Sequence, residues 1–236
     1  MVYRGTGILN FAQGAFAMLG AFVYFELYEY HHGGFLFSFI PAVLLTACLG
    51  VITHVGVMRP LRKAAPLVRL IASLAVLGLL TSLFDVIYGS NSFQIPSSLP
   101  TAPISLGGGV IIPEDQLWLL VIAIVLTIAL DLASRKTLIG LVTRAVAENE
   151  RATAALGWSP DVVAAITWGA GGALAAAGGI LLVPMAGLSV NGLTLILVGS
   201  LAIALAAGFN NFYVALVAGV AVGILQSECS RFVTTP

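Results

Sequence analysis

Residues 117–133 decide the fold class: they read LWLLVIAIVLTIALDLA and contain one charged residue, Asp131. An α-helix of 17 residues is about 26 Å long, close to the roughly 30 Å thickness of the hydrocarbon core of a bilayer. Because lipid offers the backbone no hydrogen-bond partners, an apolar run of this length predicts a membrane-spanning helix. The strands of a membrane barrel would alternate apolar and polar residues over about ten positions, and this stretch does not.

Comparable apolar runs occur along the whole chain, at 14–30, 35–57, 67–88, 117–133, 162–184, 193–207 and 212–228. Charged residues make up 8% of the sequence, against about 25% in soluble proteins. The sequence therefore predicts an all-α fold, a polytopic transmembrane helical bundle of about six to seven spans, in one transmembrane domain over residues 1–236. The last two runs are compatible with two crossings or with one re-entrant hairpin.

Two loops, 58–69 and 134–160, hold eight of the ten lysines and arginines, and the alternate loops, 31–34 and 89–116, hold none. Because basic loops stay on the cytoplasmic side of a membrane, the first two are predicted to be cytoplasmic and 89–116 to be an outer loop. Short apolar pieces around Ile104 and 110–112 predict a small β-hairpin in that outer loop. The formal net charge is zero, so no nucleic-acid partner is predicted.

The segment 169–179 reads GAGGALAAAGG and has the glycine content of a phosphate loop. It lacks the Lys-Ser or Lys-Thr pair that such a loop requires after its last glycine. Small residues on an apolar helix instead let a neighbouring helix approach closely, so the run predicts tight helix packing. Cys48 and Cys229 do not have the spacing of a metal site, and no metal, cofactor or enzymatic activity is predicted.

A few polar residues interrupt the apolar spans. Asp131 lies four residues before Arg135, which predicts an ion pair across one helical turn. His54 lies near a helix end, from which its side chain is expected to reach water. Asn10 and Gln13 stand beside glycines near a membrane boundary, where irregular backbone is tolerated if it faces protein or water. They are candidates for a substrate path, with helix-to-helix hydrogen bonding as the alternative.

Residues 140–157, GLVTRAVAENERATAALG, are the most informative polar stretch. Good helix formers, with charged Arg144 and Glu148 and apolar Val142, predict a short amphipathic helix at the cytoplasmic surface. Arg144 and Glu148 are four residues apart and are expected to pair. Such a helix lies at the membrane interface or docks into a groove on a partner protein.

This stretch resembles the cytoplasmic coupling loop of ABC-importer permeases, with Gly140, Arg144, Ala145, Glu148, Asn149, Ala152, Ala155 and Gly157 at the matching places. Three further stretches resemble the permeases of branched-chain amino-acid importers, in the order of that family. They are GILNFAQG at 7–14, RPLRKAAPLVRLIASL at 59–74 and GGALAAAGGILLVP at 171–184. Gln13 stands where the family usually has a histidine, and Ala207, Gly208 and Asn210 stand where it usually has glycines.

The resemblance implies a multi-pass permease subunit of the bacterial plasma (inner) membrane, surrounded by membrane lipid, that imports branched-chain amino acids or related small amides. The implied partners are ABC ATPase subunits, a second permease chain, and a periplasmic or lipid-anchored substrate-binding protein. The implied ATPase-coupling residues are Gly140, Arg144, Ala145, Glu148, Asn149 and Gly157, and the expected pathway residues are Asn10, Gln13 and Asn210. The family normally has a further apolar helix at each end, so its first and last helices are expected to be missing.

Two alternatives remain open from the sequence. A sugar-type ABC permease belongs to the same superfamily, and only the branch-specific stretches count against it. A secondary transporter would need no ATPase but would normally have a buried ionisable residue for ion coupling. The mid-span positions of this chain are nearly free of such residues, which argues against that class.

Overall fold

The computed structural model describes residues 2, 9–30, 34–89, 91–95, 99–105, 111–209 and 211–233. In these ranges the chain forms α1 (Gln13–Phe25), α2 (Phe35–Thr53), α3 (Pro66–Tyr88), α4 (Glu114–Lys136), α5 (Leu138–Glu148), α6 (Glu150–Ala155), α7 (Pro160–Ala186), α8 (Val190–Ala206) and α9 (Phe212–Val233). π-Helical segments extend α1 over Glu26–Tyr30 and α2 over His54–Met58, and a 3₁₀ turn covers Pro60–Lys63. The predicted all-α bundle is confirmed.

Among the described residues, five helices are long and apolar enough to cross a membrane: Phe35–Met58, Pro66–Tyr88, Glu114–Lys136, Pro160–Ala186 and Phe212–Cys229. The helices α1 and α8 are shorter, with 13 and 17 residues. All seven coincide with the apolar runs of the sequence. The helices α5 and α6 lie in the second basic loop.

Charged side chains favour the observed ends of α4. Glu114 and Asp115 lie in its first turn, and Arg135 and Lys136 lie in its last turn. Carboxylates near a helix N-terminus and cations near its C-terminus both interact favourably with the helix dipole. The same charges also hold the two ends of the helix at the membrane surfaces, because ionised groups are costly in hydrocarbon.

The short helix α1 is the centre of the bundle. It packs against α2, α3, α7 and α8, and its Phe16, Met18 and Phe22 are completely buried. The only buried residue of α4 is Asp131, and the Phe212–Cys229 part of α9 buries none. The helices α4 and α9 therefore lie at the periphery, where their apolar side chains face outward.

The small residues of α7 make the predicted close contacts. A Cβ atom on Gly172 would lie 2.6 Å from the carbonyl oxygen of Thr46 in α2, and one on Gly179 would lie 2.5 Å from the carbonyl oxygen of Ala17 in α1. Such gaps are too narrow for any side chain, so these two positions require glycine. The prediction of tight helix packing is confirmed.

Contacts between loops define two ends of the bundle. At the inner end, Arg59 and Arg62 of the first basic loop form ion pairs with Asp161 at the start of α7, just after the second basic loop. At the outer end, Phe93 and Leu188 exchange two backbone hydrogen bonds, each 2.9 Å long. The two basic loops thus share one end of the bundle, as the charge pattern predicted.

A small sheet lies in the outer loop. Strand β1 (Pro103–Ser105) pairs antiparallel with β2 (Ile111–Pro113), and Ile104 lies opposite Ile112. The predicted hairpin is therefore confirmed. It leads directly into α4, so that helix begins at the outer end and finishes at the inner end.

The helix α8 runs from the outer end to the inner end. It begins two residues after Leu188, which is bonded to Phe93 at the outer end. After the turn that follows α8, the Tyr213 hydroxyl donates a hydrogen bond of 3.4 Å to Oδ2 of Asp131, near the inner end of α4. This placement favours two crossings over a re-entrant hairpin for the last two apolar runs.

Candidate functional site

The second basic loop folds into two helices rather than one. Between α5 and α6, Asn149 has an extended backbone, with φ −152° and ψ 96°. Its side-chain Oδ1 accepts a hydrogen bond of 3.0 Å from the backbone N–H of Ala152 and so caps α6. The single helix predicted over 140–157 is therefore wrong, because Asn149 starts a new helix instead of continuing the first. We call α5 and α6 together the loop helices.

Gly140 lets α5 fold back against α4. The hydroxyl oxygen of Thr137 caps α5 by accepting a hydrogen bond of 3.1 Å from the backbone N–H of Gly140. A Cβ atom on Gly140 would lie 2.6 Å from the carbonyl oxygen of Ser134, the third-last residue of α4. A side chain at this position would therefore push the two helices apart. Val142 is buried on the bundle side of α5, as the amphipathic pattern predicted.

Gly157 ends α6 with a φ of +89°, a left-handed conformation that glycine adopts at little cost. Its backbone N–H donates to the carbonyl oxygen of Ala154 at 3.0 Å, and that of Trp158 donates to the carbonyl oxygen of Thr153 at 3.3 Å. These bonds satisfy carbonyl groups that the end of the helix leaves open. Gly140, Asn149 and Gly157 therefore have local structural roles, and half-buried Ala145 lies between them.

Arg144 points back to α4, where its Nη2 donates a hydrogen bond of 3.2 Å to Oγ of Ser134. The predicted ion pair between Arg144 and Glu148 is wrong. Helical side chains lean toward the N-terminus of their helix, which carries the guanidinium away from residue 148. Glu148 is exposed at the last position of α5. Of the six predicted coupling residues, Arg144 and Glu148 have exposed, charged side chains, and neither forms an ion pair in the described part of the chain.

Four charged residues form a cluster that the sequence did not reveal. Nη2 of Arg62 lies 3.2 Å from Oε1 of Glu150 in α6, and its Nη1 lies 3.0 Å from Oδ1 of Asp161 in α7. Nε of Arg59 lies 3.2 Å from Oδ2 of Asp161. We call these residues the inner ion cluster. Their charges are visible in the sequence, but partners about 90 or 100 positions apart cannot be paired by local spacing.

Asn10 and Gln13 fasten the start of α1. Asn10 donates from Nδ2 to Oε1 of Gln13 at 3.1 Å, and its Oδ1 accepts from the backbone N–H of Ala12 at 3.0 Å. Gln13 donates from Nε2 to the carbonyl oxygen of Gly171 in α7 at 2.7 Å. The helix-to-helix hydrogen bonding that was the alternative is thus present for Gln13, whereas these two bonds of Asn10 are local.

Gln13 also borders a cavity of about 140 Å³ between α1, α7 and α8. Gly14, Gly178, Ile196 and Ser200 are among the residues that line it. We call this space the pathway cavity. It is smaller than typical ligand pockets, which have volumes of about 300 Å³ or more. A substrate path through this space would require α1, α7 and α8 to move apart.

Asn210, the third pathway candidate, lies outside the described residues. Cys48 and Cys229 are exposed and unpaired as disulfides. The described residues contain no group of three or more His, Cys, Asp or Glu side chains that could hold a metal ion.

Predictions were made for two ionisable residues near the inner ends of membrane spans, and one of the two is confirmed. Asp131 is buried and forms the predicted ion pair, with 2.8 Å between its Oδ1 and Nε of Arg135. His54 is only 6% exposed, and its ring lies beside that of Trp168 with 6.3 Å between the centroids. The expectation that His54 reaches water is therefore wrong, because its ring turns toward α7.

Apolar helices, ends segregated by charge and structured loop helices at the inner end define a multi-pass membrane protein. Over residues 1–236 the sequence matches the family described as "Branched-chain amino acid transport system / permease component". The chain belongs to this family. No solved structure matches the chain significantly.

Curated relatives agree with the family. The chain is 25% identical to the high-affinity branched-chain amino acid transport system permease protein LivH of Escherichia coli K12, over 100% of this chain and 80% of LivH. It is 28% identical to the permease protein BraD of Pseudomonas aeruginosa, over 77% of this chain and 63% of BraD. It is also 28% identical to the probable LivH of Methanocaldococcus jannaschii, over 100% of this chain and 76% of that protein.

Family membership confirms several predictions at once. The chain is a permease component and not an enzyme, because the family and the curated relatives are membrane permease components of transport systems. Together with five membrane-length helices, this makes it a multi-pass protein of the plasma (inner) membrane.

Proposed function

We propose that this chain is the membrane-spanning subunit of an ABC importer that moves branched-chain amino acids, or related small amides and amino acids, into the cell. Separate ATPase subunits would bind the inner end and hydrolyse ATP. The observation that carries the proposal is the pair of loop helices at that end. They are built on Gly140, Asn149 and Gly157, and they include the exposed charged side chains of Glu148 and Arg151.

The exposed charges of the loop helices suggest where an ATPase would bind. Glu148 and Arg151 are both exposed and lie on either side of the break at Asn149. Arg144 is drawn back to α4 by its bond to Ser134, so its role in coupling would be to hold α5 in place. We therefore assign the direct ATPase contact to Glu148 and Arg151, and the shape of the loop to Gly140, Arg144, Ala145, Asn149 and Gly157.

The inner ion cluster suggests how a displacement of the loop helices would be transmitted to the membrane-spanning helices. Arg62 connects α6 to the start of α7, the helix that packs most extensively on α1 and α2. A displacement of α6 by an ATPase would therefore pull on α7 and on the loop after α2. Rigid-body movement of packed helices is a common means of opening a path between them. The pathway cavity, which lies between α1, α7 and α8, would be the space that widens.

The other proposed partners are membrane lipid, a second permease chain and a substrate-binding protein. The peripheral helices α4 and α9 expose apolar side chains, which would face membrane lipid or a second permease chain. The outer end, with its hairpin, would receive substrate from a periplasmic or lipid-anchored binding protein. A secondary transporter fits less well, because the buried carboxylate of Asp131 is already paired with Arg135.

The decisive experiment is copurification of the chain with coexpressed ATPase subunits of its own transport system. Glu148→Arg is expected to weaken assembly and to lower substrate-stimulated ATP hydrolysis. Glu29→Arg is the matched control, because Glu29 is an exposed carboxylate at the outer end, beyond α1; it should leave ATPase copurification unchanged. Normal assembly and normal ATP hydrolysis with Glu148→Arg would remove the proposed ATPase contact.

A further inference from the structure

A second and larger cavity lies at the inner end. It has a volume of about 330 Å³ and is bounded by α4, α5, α7 and the first residue of α9. Its walls are mainly apolar, with Ile139, Ile166, Ala170 and Phe212 among them. We call this space the inner cavity. Nothing in the transport scheme above uses it.

One cation borders the inner cavity. Arg144 and Ser134 both line it, and they are joined by the hydrogen bond between Nη2 and Oγ. The lining, which consists entirely of described residues, includes no carboxylate. Arg144 is also absent from the ion pairs found in the described part of the chain. A guanidinium in this position has donors left for an anion, and phosphate is an oxyanion that arginine binds well.

The position of the inner cavity selects the kind of anion. It lies where α4 ends and α7 begins, at the end of the bundle that holds the basic loops, which is the membrane–water boundary. Ile139 and Ile166 are 53% and 44% exposed, so the cavity has accessible apolar surface that an acyl chain could cover. A free amino acid would bring an ammonium group for which the described lining offers no carboxylate. A lipid with an anionic headgroup has both the apolar body and the negative charge that the cavity fits.

We propose that the inner cavity binds an anionic phospholipid of the cytoplasmic leaflet, with its phosphate on Arg144 and an acyl chain against Ile139 and Ile166. Basic pockets between membrane helices on the cytoplasmic side are suited to such headgroups. The bound lipid would fill the space between α5 and the ends of α4 and α7. It would thereby hold the loop helices against the bundle.

The test is lipid binding to the full chain, purified in a mild detergent and titrated with phosphatidylglycerol or phosphatidylcholine of identical acyl chains. Bound lipid is counted by native mass spectrometry. Phosphatidylglycerol is expected to bind about fivefold more tightly, the effect of one arginine close to an anionic headgroup. Inorganic phosphate alone should not compete, because it lacks the acyl chain.

Matched variants distinguish the contribution of the lipid headgroup to binding from that of the acyl chain. Arg144→Gln should reduce the preference for phosphatidylglycerol to none, and Arg144→Lys should retain most of it. Lys63→Gln is the control, since Lys63 is an exposed cation at the same end but outside the cavity, and it should retain the full preference. Ile166→Trp should weaken both lipids equally by filling the apolar space.

Three results would overturn the proposal. The first is a preference for phosphatidylglycerol that survives Arg144→Gln or disappears with Lys63→Gln. The second is competition by inorganic phosphate, which would make the site one for a free anion. The third is a wild-type chain that binds neither lipid and dimerises through the cavity, with Ile166→Trp abolishing the dimer; the occupant would then be a second copy of the chain.

Discussion

Nε2 of Gln13 donates a hydrogen bond of 2.7 Å to the backbone carbonyl oxygen of Gly171, a residue 158 positions later in the chain. This bond joins the central helix α1 to α7 at the point where α1 begins. Gln13→Leu removes it and also leaves Nδ2 of Asn10 without its acceptor. We expect the free energy of unfolding to fall by about 0.6–1.5 kcal/mol, measured as a lower thermal unfolding midpoint in detergent.

Two further variants test this assignment. Gln13→His keeps a ring N–H donor and should recover part of the stability lost in Gln13→Leu. Gln116→Leu changes an exposed glutamine in the first turn of α4 and should leave the unfolding midpoint near that of the wild type. A Gln13→Leu protein as stable as the Gln116→Leu control would show that the bond to Gly171 contributes little.

Two adjacent glycines of α7 should respond in opposite ways to alanine. The Cβ atom of Gly179→Ala would lie 2.5 Å from the carbonyl oxygen of Ala17, and overpacking of this kind costs about 1–3 kcal/mol. A Cβ atom at Gly178 has no atom within 4 Å, so Gly178→Ala should be neutral or slightly stabilising. Thermal unfolding of the two variants side by side provides the measurement. Equal midpoints would contradict the close approach of α7 to α1.

A larger side chain at Gly178 tests the pathway cavity. Gly178 lines that cavity, so Gly178→Leu should fill it. We expect loss of most of the transport rate in vesicles that contain the assembled importer, with an unfolding midpoint close to that of the wild type. Gly223→Leu, at a glycine of α9 that also has open space around it, is the control and should leave transport intact. Normal transport by Gly178→Leu would exclude this cavity from the substrate path.

The cap at Asn149 predicts a local effect on α6. Asn149→Ala removes the bond between Oδ1 and the backbone N–H of Ala152, at a cost of about 1 kcal/mol. Hydrogen exchange of the α6 amides should become faster, while exchange in α5 should change little. Thr137→Ala removes the cap of α5 and should show the reverse pattern. Identical exchange changes in the two variants would mean that α5 and α6 behave as one helix.

Arg62 predicts a dependence on salt. Its side chain is 51% exposed, and those of its partners Glu150 and Asp161 are 53% and 28% exposed, so Arg62→Gln should cost less than about 1 kcal/mol at low ionic strength. The difference from the wild type should shrink near 1 M salt, where charges are screened beyond about 3 Å. In the assembled importer, ATP hydrolysis should persist while transport per ATP falls. Unchanged transport per ATP would limit the cluster to a minor contribution to stability.

Much of the fold could be predicted from the sequence, because membrane helices satisfy their own backbone groups and apolar runs reveal their length. The run at 117–133 became the body of α4, and the basic residues at 58–69 and 134–160 fell at one end. The central position of α1 could not be predicted, because all spans are apolar and hydropathy does not distinguish a central helix from a peripheral one. It depends on contacts such as the one between Gly179 and Ala17, whose partners are far apart in the chain.

The candidate site was only partly predictable. The positions of Gly140, Asn149 and Gly157 came from a resemblance, and the structure supplies their local reasons. The pairing of Arg144 with Glu148 was predicted from their spacing on one helix. The prediction is wrong because the guanidinium instead donates a hydrogen bond to Ser134 of α4. The inner ion cluster and the inner cavity cannot be predicted from local sequence patterns, because each combines residues from several distant segments.

The interruption at Asn149 has a mechanical consequence. The two loop helices resemble a pair of hinged levers more than a single rigid rod. One lever, α5, rests on α4 through Gly140 and Arg144, and the other, α6, is connected to α7 through Arg62. A force applied to the loop helices from the cytoplasmic side would therefore be divided between α4, at the periphery of the bundle, and α7, which packs on the central helix α1. The connection that deforms less, α5 to α4 or α6 to α7, would determine which of these two parts of the bundle moves first.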